Sequence, residues 1–303
     1  MNLAAAALLP EQSNVYPFTP AEGAPLSTVK HNRLSTVHPN LILRTQIFTP
    51  VARNPHNKCA GRAADVSDTM RELAFARAEG YDRVTIYGSV LDIETDFRVW
   101  TGITQVFENQ GFKAEGMEIN FKAFAIMCGY PSKQLNTVLR QRIDASLTRI
   151  MTQVITFSAQ DGSKFKTHLL QLAEFNARLD VLRLVPDKYL WELYRIDHNI
   201  LLSMELQESL RRKEVAQCLY MFIAALPASP APLSFSRLRE RVALTTSKPA
   251  EANRSITKAL AELKAIGYLD YDIQTRDRER YVLIHNRHKT CSTRANKKTP
   301  AGQ

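Results

Sequence analysis

The sequence predicts an α+β chain with two tandem winged-helix domains behind a flexible, Pro-rich N-terminal segment, and three observations carry that prediction. Residues 232–285 change apolar period in the order helix, helix, hairpin. Residues 81–185 repeat the same order, and residues 2–65 sustain no period at all.

Taken in chain order, the first segment is rich in Pro, Ser, Thr and Asn, with Pro17, Pro20, Pro25, Pro39, Pro50 and Pro55 spread along it. Such a composition favours flexible or locally extended chain. The exception is 41–48, apolar and β-branched, which reads as an edge strand docked on the domain after it. A short helix is predicted over 67–80. A strand over 84–91 precedes an amphipathic helix over 92–110, whose apolar side is Phe97, Trp100, Ile103, Val106 and Phe107. Asn120 can cap a helix running to Cys128 and Gly129, Pro131 and Ser132 form a turn, and 134–151 is the next helix, with Leu135, Leu139, Ile143, Leu147 and Ile150 as its buried stripe. Strands over 152–158 and 165–173 flank a Gln160-Asp161-Gly162-Ser163 hairpin signal. A further strand (178–185), a short helix (186–196) and a long helix (204–226) end at Pro227, Pro230 and Pro232, which mark 227–231 as the linker.

In the C-terminal stretch, Leu238, Val242 and Leu244 are the apolar positions of a short helix. Pro249 then suits a first helical turn, because its missing N–H would have had no intrahelical partner. Ala252, Ile256, Ala259, Leu260 and Leu263 recur at steps of three and four up to Gly267. Strands over 268–274 and 280–285 come next, joined by the charged connection 275–279. The resulting division is 1–65 flexible, 66–226 a winged-helix domain with its long C-terminal helix, 227–231 linker, 232–288 a second winged-helix domain, and 289–303 a basic tail.

On the second helix of that last unit, the face opposite the apolar stripe carries Arg254, Ser255 and Lys258, with Asn253 and Thr257 at its edges and Lys248 just before it. Arg and Lys meet guanine edges or phosphates, Asn pairs with adenine, and Ser or Thr bonds either, which is what a helix in a major groove requires. A plain solvated face is the competing account. Context favours DNA: Arg276, Arg278 and Arg280 sit on the wing, and Arg287, Lys289, Arg294, Lys297 and Lys298 come after it without an acid. The whole chain is formally +10, and 232–303 holds 15 Lys plus Arg against 7 Asp plus Glu, so the positive field is concentrated at one end. The tail is polar and lacks the bulky apolar anchors that an anionic membrane surface would take. In the first unit the corresponding residues are Lys133, Asn136, Thr137, Arg140 and Gln141.

Other chemistry is poorly supplied. Cys59, Cys128, Cys218 and Cys291 show no CxxC spacing, so neither a zinc site nor a disulfide framework is expected, and a reducing cytoplasm suits the chain. The apolar run near residue 3 lacks a basic start, and no run reaches the roughly 20 residues of a membrane span. A Gly-rich phosphate loop ending in GK[ST] is absent. The pair His285 and His288 encloses Asn286 and Arg287 rather than an apolar residue, unlike the metal-holding pair of a rolling-circle nuclease. No catalytic residue, metal or cofactor is expected.

Local text such as MEINFKAFAIMCGYPSKQLNTVLRQRIDASLTRIMTQVITF, VPDKYLWELYRID and LRERVALTTSKPAEANRSITKALAELKAIGYLDYDI resembles the iteron-binding plasmid replication initiators of the Rep and TrfA type, over about residues 84–285. The resemblance implies binding to short direct repeats in double-stranded origin DNA, opening of an adjacent AT-rich tract, recruitment of the host initiator and replicative helicase, and a homodimer that represses its own promoter. It puts base readout on Arg254, Ser255, Lys258 and Asn253, and auxiliary contacts on Lys133, Asn136, Thr137 and Arg140. The alternative from the residues alone is a winged-helix transcriptional repressor without a replication role. A palindromic operator in place of direct repeats separates that reading from an initiator. A third possibility, a scaffold that binds only protein, would lack the steep salt dependence of DNA binding.

Overall fold

A computed structural model describes residues 20–27, 35–51, 61–65, 81–162, 164–244 and 248–288, and of 61–65, 81–82 and 196 the backbone alone. The apolar start, the helix expected over 67–80, the turn 245–247 and the basic tail from 289 lie outside the described residues. Helices and strands are mixed throughout, as the α+β expectation requires.

Strand β1 (Ser35–Pro39), helix α1 (Asn40–Arg44) and strand β2 (Phe48–Thr49) fall inside the segment expected to be flexible. Leu41, Ile42, Leu43, Ile47 and Phe48 are all buried there. The edge strand expected over 41–48 is thus helix in its first half, and only Phe48 of it lies in a strand. A short apolar run does not declare its period, and the start of α1 is held by a distant group, the Asp197 carboxylate, which accepts the Leu41 N–H at 2.7 Å.

Strands β3 (Gly61–Asp65), β4 (Tyr81–Ser89) and β5 (Leu91–Asp92) lead to α2 (Asp96–Gln110). This helix is the centre of the N-terminal half: Phe97, Val99, Trp100, Ile103, Val106 and Phe107 are buried. Its Asp96, fully buried, accepts the Asp92 N–H at 2.8 Å and two bonds from Arg149, at 3.0 and 2.6 Å. The carboxylate sits at the helix N-terminus, where a negative charge is favoured.

Strand β6 (Met117–Asn120) then enters α3 (Phe121–Met127), capped by the Asn120 side chain, which accepts the Lys122 N–H at 2.9 Å. A 3₁₀ turn (Ser132–Gln134) precedes α4 (Thr137–Met151), which starts three residues later than expected because Asn136 serves as its cap. Strands β7 (Val154–Ala159) and β8 (Lys164–His168) form an antiparallel hairpin. The second strand expected over 165–173 is divided: buried Leu169 and Leu170 turn the chain into a different sheet, where β9 (Leu172–Asn176) and β10 (Val181–Val185) lie.

Helix α5 (Lys188–Ile196) and strand β11 (Asn199–Ser203) come next, and β11 pairs with β1. The long helix expected over 204–226 is two helices, α6 (Met204–Ser209) and α7 (Glu214–Ala224). The break is made at Arg212, whose φ is 64°, in the left-handed region that L-residues avoid. Its N–H is taken by the Glu94 carboxylate at 3.0 Å, and the Gln217 side chain donates to the Leu210 carbonyl at 2.9 Å. Helix α7 is apolar nearly all round, with Ala216, Leu219, Tyr220, Met221, Phe222 and Ile223 buried, the pattern of a helix covered on both sides. It lies between the halves and belongs to one continuous core.

The C-terminal unit runs β12 (Leu233–Ser234), α8 (Phe235–Arg241), α9 (Pro249–Ala265), β13 (Leu269–Arg276) and β14 (Glu279–Arg287). Its sheet order is β12-β14-β13, and the N-terminal half has β3-β4-β7-β8 and β6-β10-β9, beside the pairs β1-β11 and β2-β5. Both stretches share the order strand, helix, helix, hairpin. They differ in the partner of the leading strand: β12 pairs with its own hairpin, whereas β6 pairs with β10 and the hairpin β7–β8 is extended by β4 and β3.

Candidate nucleic-acid interface

Helix α9 buries Ala252, Ile256, Ala259, Leu260 and Leu263 and starts with Pro249 at its first turn. At about 100° per residue, that stripe turns Arg254 and Lys258 to the opposite side. Both are exposed, and neither makes a side-chain hydrogen bond or ion pair among the described residues. The other three candidates are arranged differently. Asn253 accepts a bond from Arg239 of α8 at 2.6 Å through Oδ1, which leaves its amide nitrogen to donate. The Thr257 hydroxyl donates back to the Asn253 carbonyl at 2.8 Å. Ser255 turns sideways into a groove of about 640 Å³ between α9 and the start of α7, lined also by Arg212, Lys213, Glu214, Glu251 and Glu262 and edged by Lys258. Lys248 is exposed and lies 3.8 Å from Glu251.

The hairpin β13–β14 is longer than the sequence indicated. Arg276 pairs with Glu279, so the tip is the two residues Asp277 and Arg278, with φ of 49° and 64°. Two positive φ values in succession make the turn whose twist matches a hairpin. Arg278 is exposed at that tip. Arg276 donates to Gln274 at 2.9 Å. Arg280 is turned inward, its guanidinium 4.3 Å from the centre of the buried Phe235 ring, and Glu279 accepts the Ser236 N–H at 2.9 Å. Of the three wing arginines, Arg280 and its neighbour Glu279 therefore brace the hairpin on α8, while Arg278 faces outward.

In the N-terminal half, Lys133, Thr137 and Gln141 are exposed along the 3₁₀ turn and the start of α4. Asn136 is the cap, accepting the Leu139 N–H at 2.9 Å. Arg140 is held within the protein: it pairs with Asp180 and lies 4.3 Å over Phe121 and 5.6 Å from Phe175. Two exposed neighbours on the same outer side, Val138 and Arg142, escape a reading that counts only the polar residues flanking the stripe.

A second basic surface is likewise absent from the sequence-based expectations. The pairing places Lys164 beside Ser158, Lys166 beside Thr156 and His168 beside Val154, and continues to Arg83, Thr85 and Tyr87 of β4. Val84, Ile86, Ile155 and Phe157 are buried on the opposite face, so Arg83, Tyr87, Lys164, Lys166 and His168 share the exposed one. The alternation in Lys164-Phe165-Lys166-Thr167-His168 was the available signal.

The two halves are tied at the end of α7. Arg44 donates to the Ala225 carbonyl at 2.9 and 2.8 Å. Arg287, at the end of the wing, donates to Ile223 at 2.6 Å, Leu226 at 2.9 Å and Pro227 at 2.6 Å. Gln46 also donates to the Glu240 carbonyl of α8, and Tyr220 and Tyr268 meet edge to face at 4.7 Å. Among the described residues no group of His, Cys, Asp and Glu has the arrangement of a metal site, and no helix is long and apolar enough to cross a membrane. Cys128 and Cys218 are buried thiols whose pKa burial pushes up, the opposite of an activated nucleophile.

No protein-family model matches the chain. Domains 2 and 3 of RctB superimpose on 84% of it and 98% of that structure, with a TM-score of 0.51 at 12% identity, which is a likeness of fold. Sequence relatives are much nearer. Replication protein RepA of Escherichia coli is 40% identical over 258 residues, covering 84% of this chain and 89% of the relative. RepFIB replication protein A of Escherichia coli strain K12 is 38% identical over 267 residues, 86% of this chain and 82% of the relative. Replication protein RepA of Salmonella typhi is 36% identical over 263 residues, 86% and 75% respectively. With that identity sustained across both halves, the chain belongs to the RepA family of plasmid replication initiators.

Proposed function

We propose that this protein starts plasmid replication by binding direct repeats in double-stranded origin DNA through two winged helices, α3–α4 with the hairpin β7–β8 and α8–α9 with the hairpin β13–β14. The observation that carries the reading is the outer face of α9, where Arg254 and Lys258 stand exposed and unpaired opposite a wholly buried stripe. A cation left without an internal partner is available to a phosphate or a guanine edge. Arg278 on the wing tip and the Arg83, Lys164, Lys166 and His168 face add phosphate contacts that position the protein without reading sequence. Ser255, Asn253, Thr257 and Lys248 lie at the margins of the α9 surface, Arg276 is on the wing, and Arg280 braces the wing from within.

In this reading bound protein helps open an adjacent AT-rich tract and brings in the host initiator and replicative helicase, and a homodimer represses the promoter of its own gene. Two linked readers raise the effective concentration of the second contact to the millimolar range. Footprinting of the full chain on DNA flanking its gene, with random competitor DNA and at two salt concentrations, tests the proposal. Protection of several evenly spaced direct repeats, weakening steeply with salt, is the expected result. Protection of one palindrome at the promoter alone would replace it with the repressor reading.

A further inference from the structure

The start of α4 carries a feature that the fold does not use. Val138 is 61% exposed at the second helical position, between exposed Thr137 and the exposed Gln141, Arg142 and Ala145. The spacing i, i+3, i+4, i+7 puts Val138, Gln141, Arg142 and Ala145 on one side of the helix. A β-branched residue here lowers helix propensity and leaves its methyl groups in water. The N-terminal half has an exposed apolar group around Phe175 and Leu179, but that lies by Arg140, which is turned towards Phe121, Phe175 and Asp180. Val138 stands about 160° around the helix from Arg140, so it is not part of that group. Gln141 and Arg142 make no side-chain hydrogen bond or ion pair among the described residues, nor does Lys133 in the turn before. The acid on the outer side of these turns, Asp144, is about 120° away from Val138. A helix start that presents one apolar residue amid an unpaired amide and unpaired cations has the chemistry of a base reader: the thymine C5-methyl takes an apolar contact, and adenine takes a bidentate glutamine.

We propose that α4 reads A·T base pairs in the major groove, with Val138 packed against a thymine methyl, Gln141 bonded to an adenine, and Arg142 and Lys133 on the flanking phosphates. This rests on the origin-binding reading above and makes the N-terminal unit a reader of sequence rather than an auxiliary phosphate contact.

The test replaces each thymine of a footprinted repeat, one at a time, by uracil, which removes the methyl and nothing else, and measures binding of the full chain. One thymine is expected to respond with about a four-fold loss, the worth of one buried methyl-sized group. Val138→Ala should lose about as much on the normal repeat and be indifferent to uracil at that position, whereas Val138→Thr, which keeps one methyl, should retain part of the response. Replacing the partner adenine by 7-deaza-adenine should weaken the natural chain and leave Gln141→Ala unaffected. Val138 is exposed, so thermal midpoints of these variants should match the natural chain. If the repeats are protected but no uracil effect depends on Val138, the assignment falls while the origin-binding reading stands. If no repeat is protected, both fall.

Discussion

Arg254 and Lys258 are adjacent on one face of α9 and free of internal partners, yet they are expected to do different things. Arg254→Ala should cost roughly 1–3 kcal/mol on specific DNA and relax preference at one base, while Lys258→Ala should weaken specific and random DNA alike and reduce the salt slope by about one. Competition binding of both variants at two salt concentrations measures this, and equal small losses on all DNA for both would remove base reading from Arg254. A second pair of residues makes opposing contributions to the acid response. Burial holds the His38 imidazole down at about 3 and pushes the Asp197 carboxyl up to about 6, although the Leu41 and His198 N–H groups and Arg44 pull the latter back. For His38 the unfolded chain takes the proton first, so its contribution to stability falls as pH drops from about 6.5 towards 3. For Asp197 the folded chain holds the proton more tightly, so its contribution rises as pH falls from about 6 to 3.8. The two oppose each other across pH 6 to 4. Relative to the natural chain, His38→Gln should therefore raise the urea midpoint on going from pH 6 to pH 4, and Asp197→Asn should make it fall more steeply.

Among the elements, α7 has the largest share in joining the halves. Its last carbonyls would face an apolar surround without donors, and Arg44 and Arg287 supply them from opposite ends of the chain. Arg287→Ala would leave the Ile223, Leu226 and Pro227 carbonyls without that partner. A loss of roughly 1.5–3 kcal/mol in urea unfolding is expected, in line with bonds to a charged group, together with faster hydrogen exchange at the end of α7. An unchanged midpoint would show that water replaces the guanidinium at no cost. At this scale the sequence was most legible where period and caps agree. Helix α9 runs from Pro249 to Ala265 as its stripe and Gly267 indicate, and Asn120 caps α3. It was least legible where a distant side chain sets a boundary. Asp197 starts α1 and Glu94 breaks the expected long helix at Arg212, and neither partner is near in sequence.

For the whole molecule, the consequence of a shared helix is a preferred geometry between the two halves. Tandem modules bind far more tightly than either alone only while both engage at once. Inserting five base pairs between the two contacted segments of a repeat rotates one by about half a turn of duplex. Binding should then fall by at least about 100-fold, towards that of a single unit. Gel-shift titration measures it, and an insertion that costs little would mean that the joint swivels. The expected linker at 227–231 continues directly from α7, and the carbonyl of Pro227 is already held by Arg287.

By itself the sequence determined the mixed α+β content, the doubled order of helix, helix and hairpin, the buried stripes of α4 and α9, and the resemblance to replication initiators, which the relatives bear out. These are local or compositional properties, carried by spacings within a dozen residues and by the chain's own text. Which polar side chains remain free was decided only by the tertiary structure. Arg140 and Arg280 read from sequence as surface cations, yet aromatic rings brought from elsewhere hold them, while Arg83, Lys164 and Lys166 become one surface through strand pairing across 70 and more residues. A side chain's availability depends on what packs beside it, and that neighbour is set by the fold rather than by position along the chain.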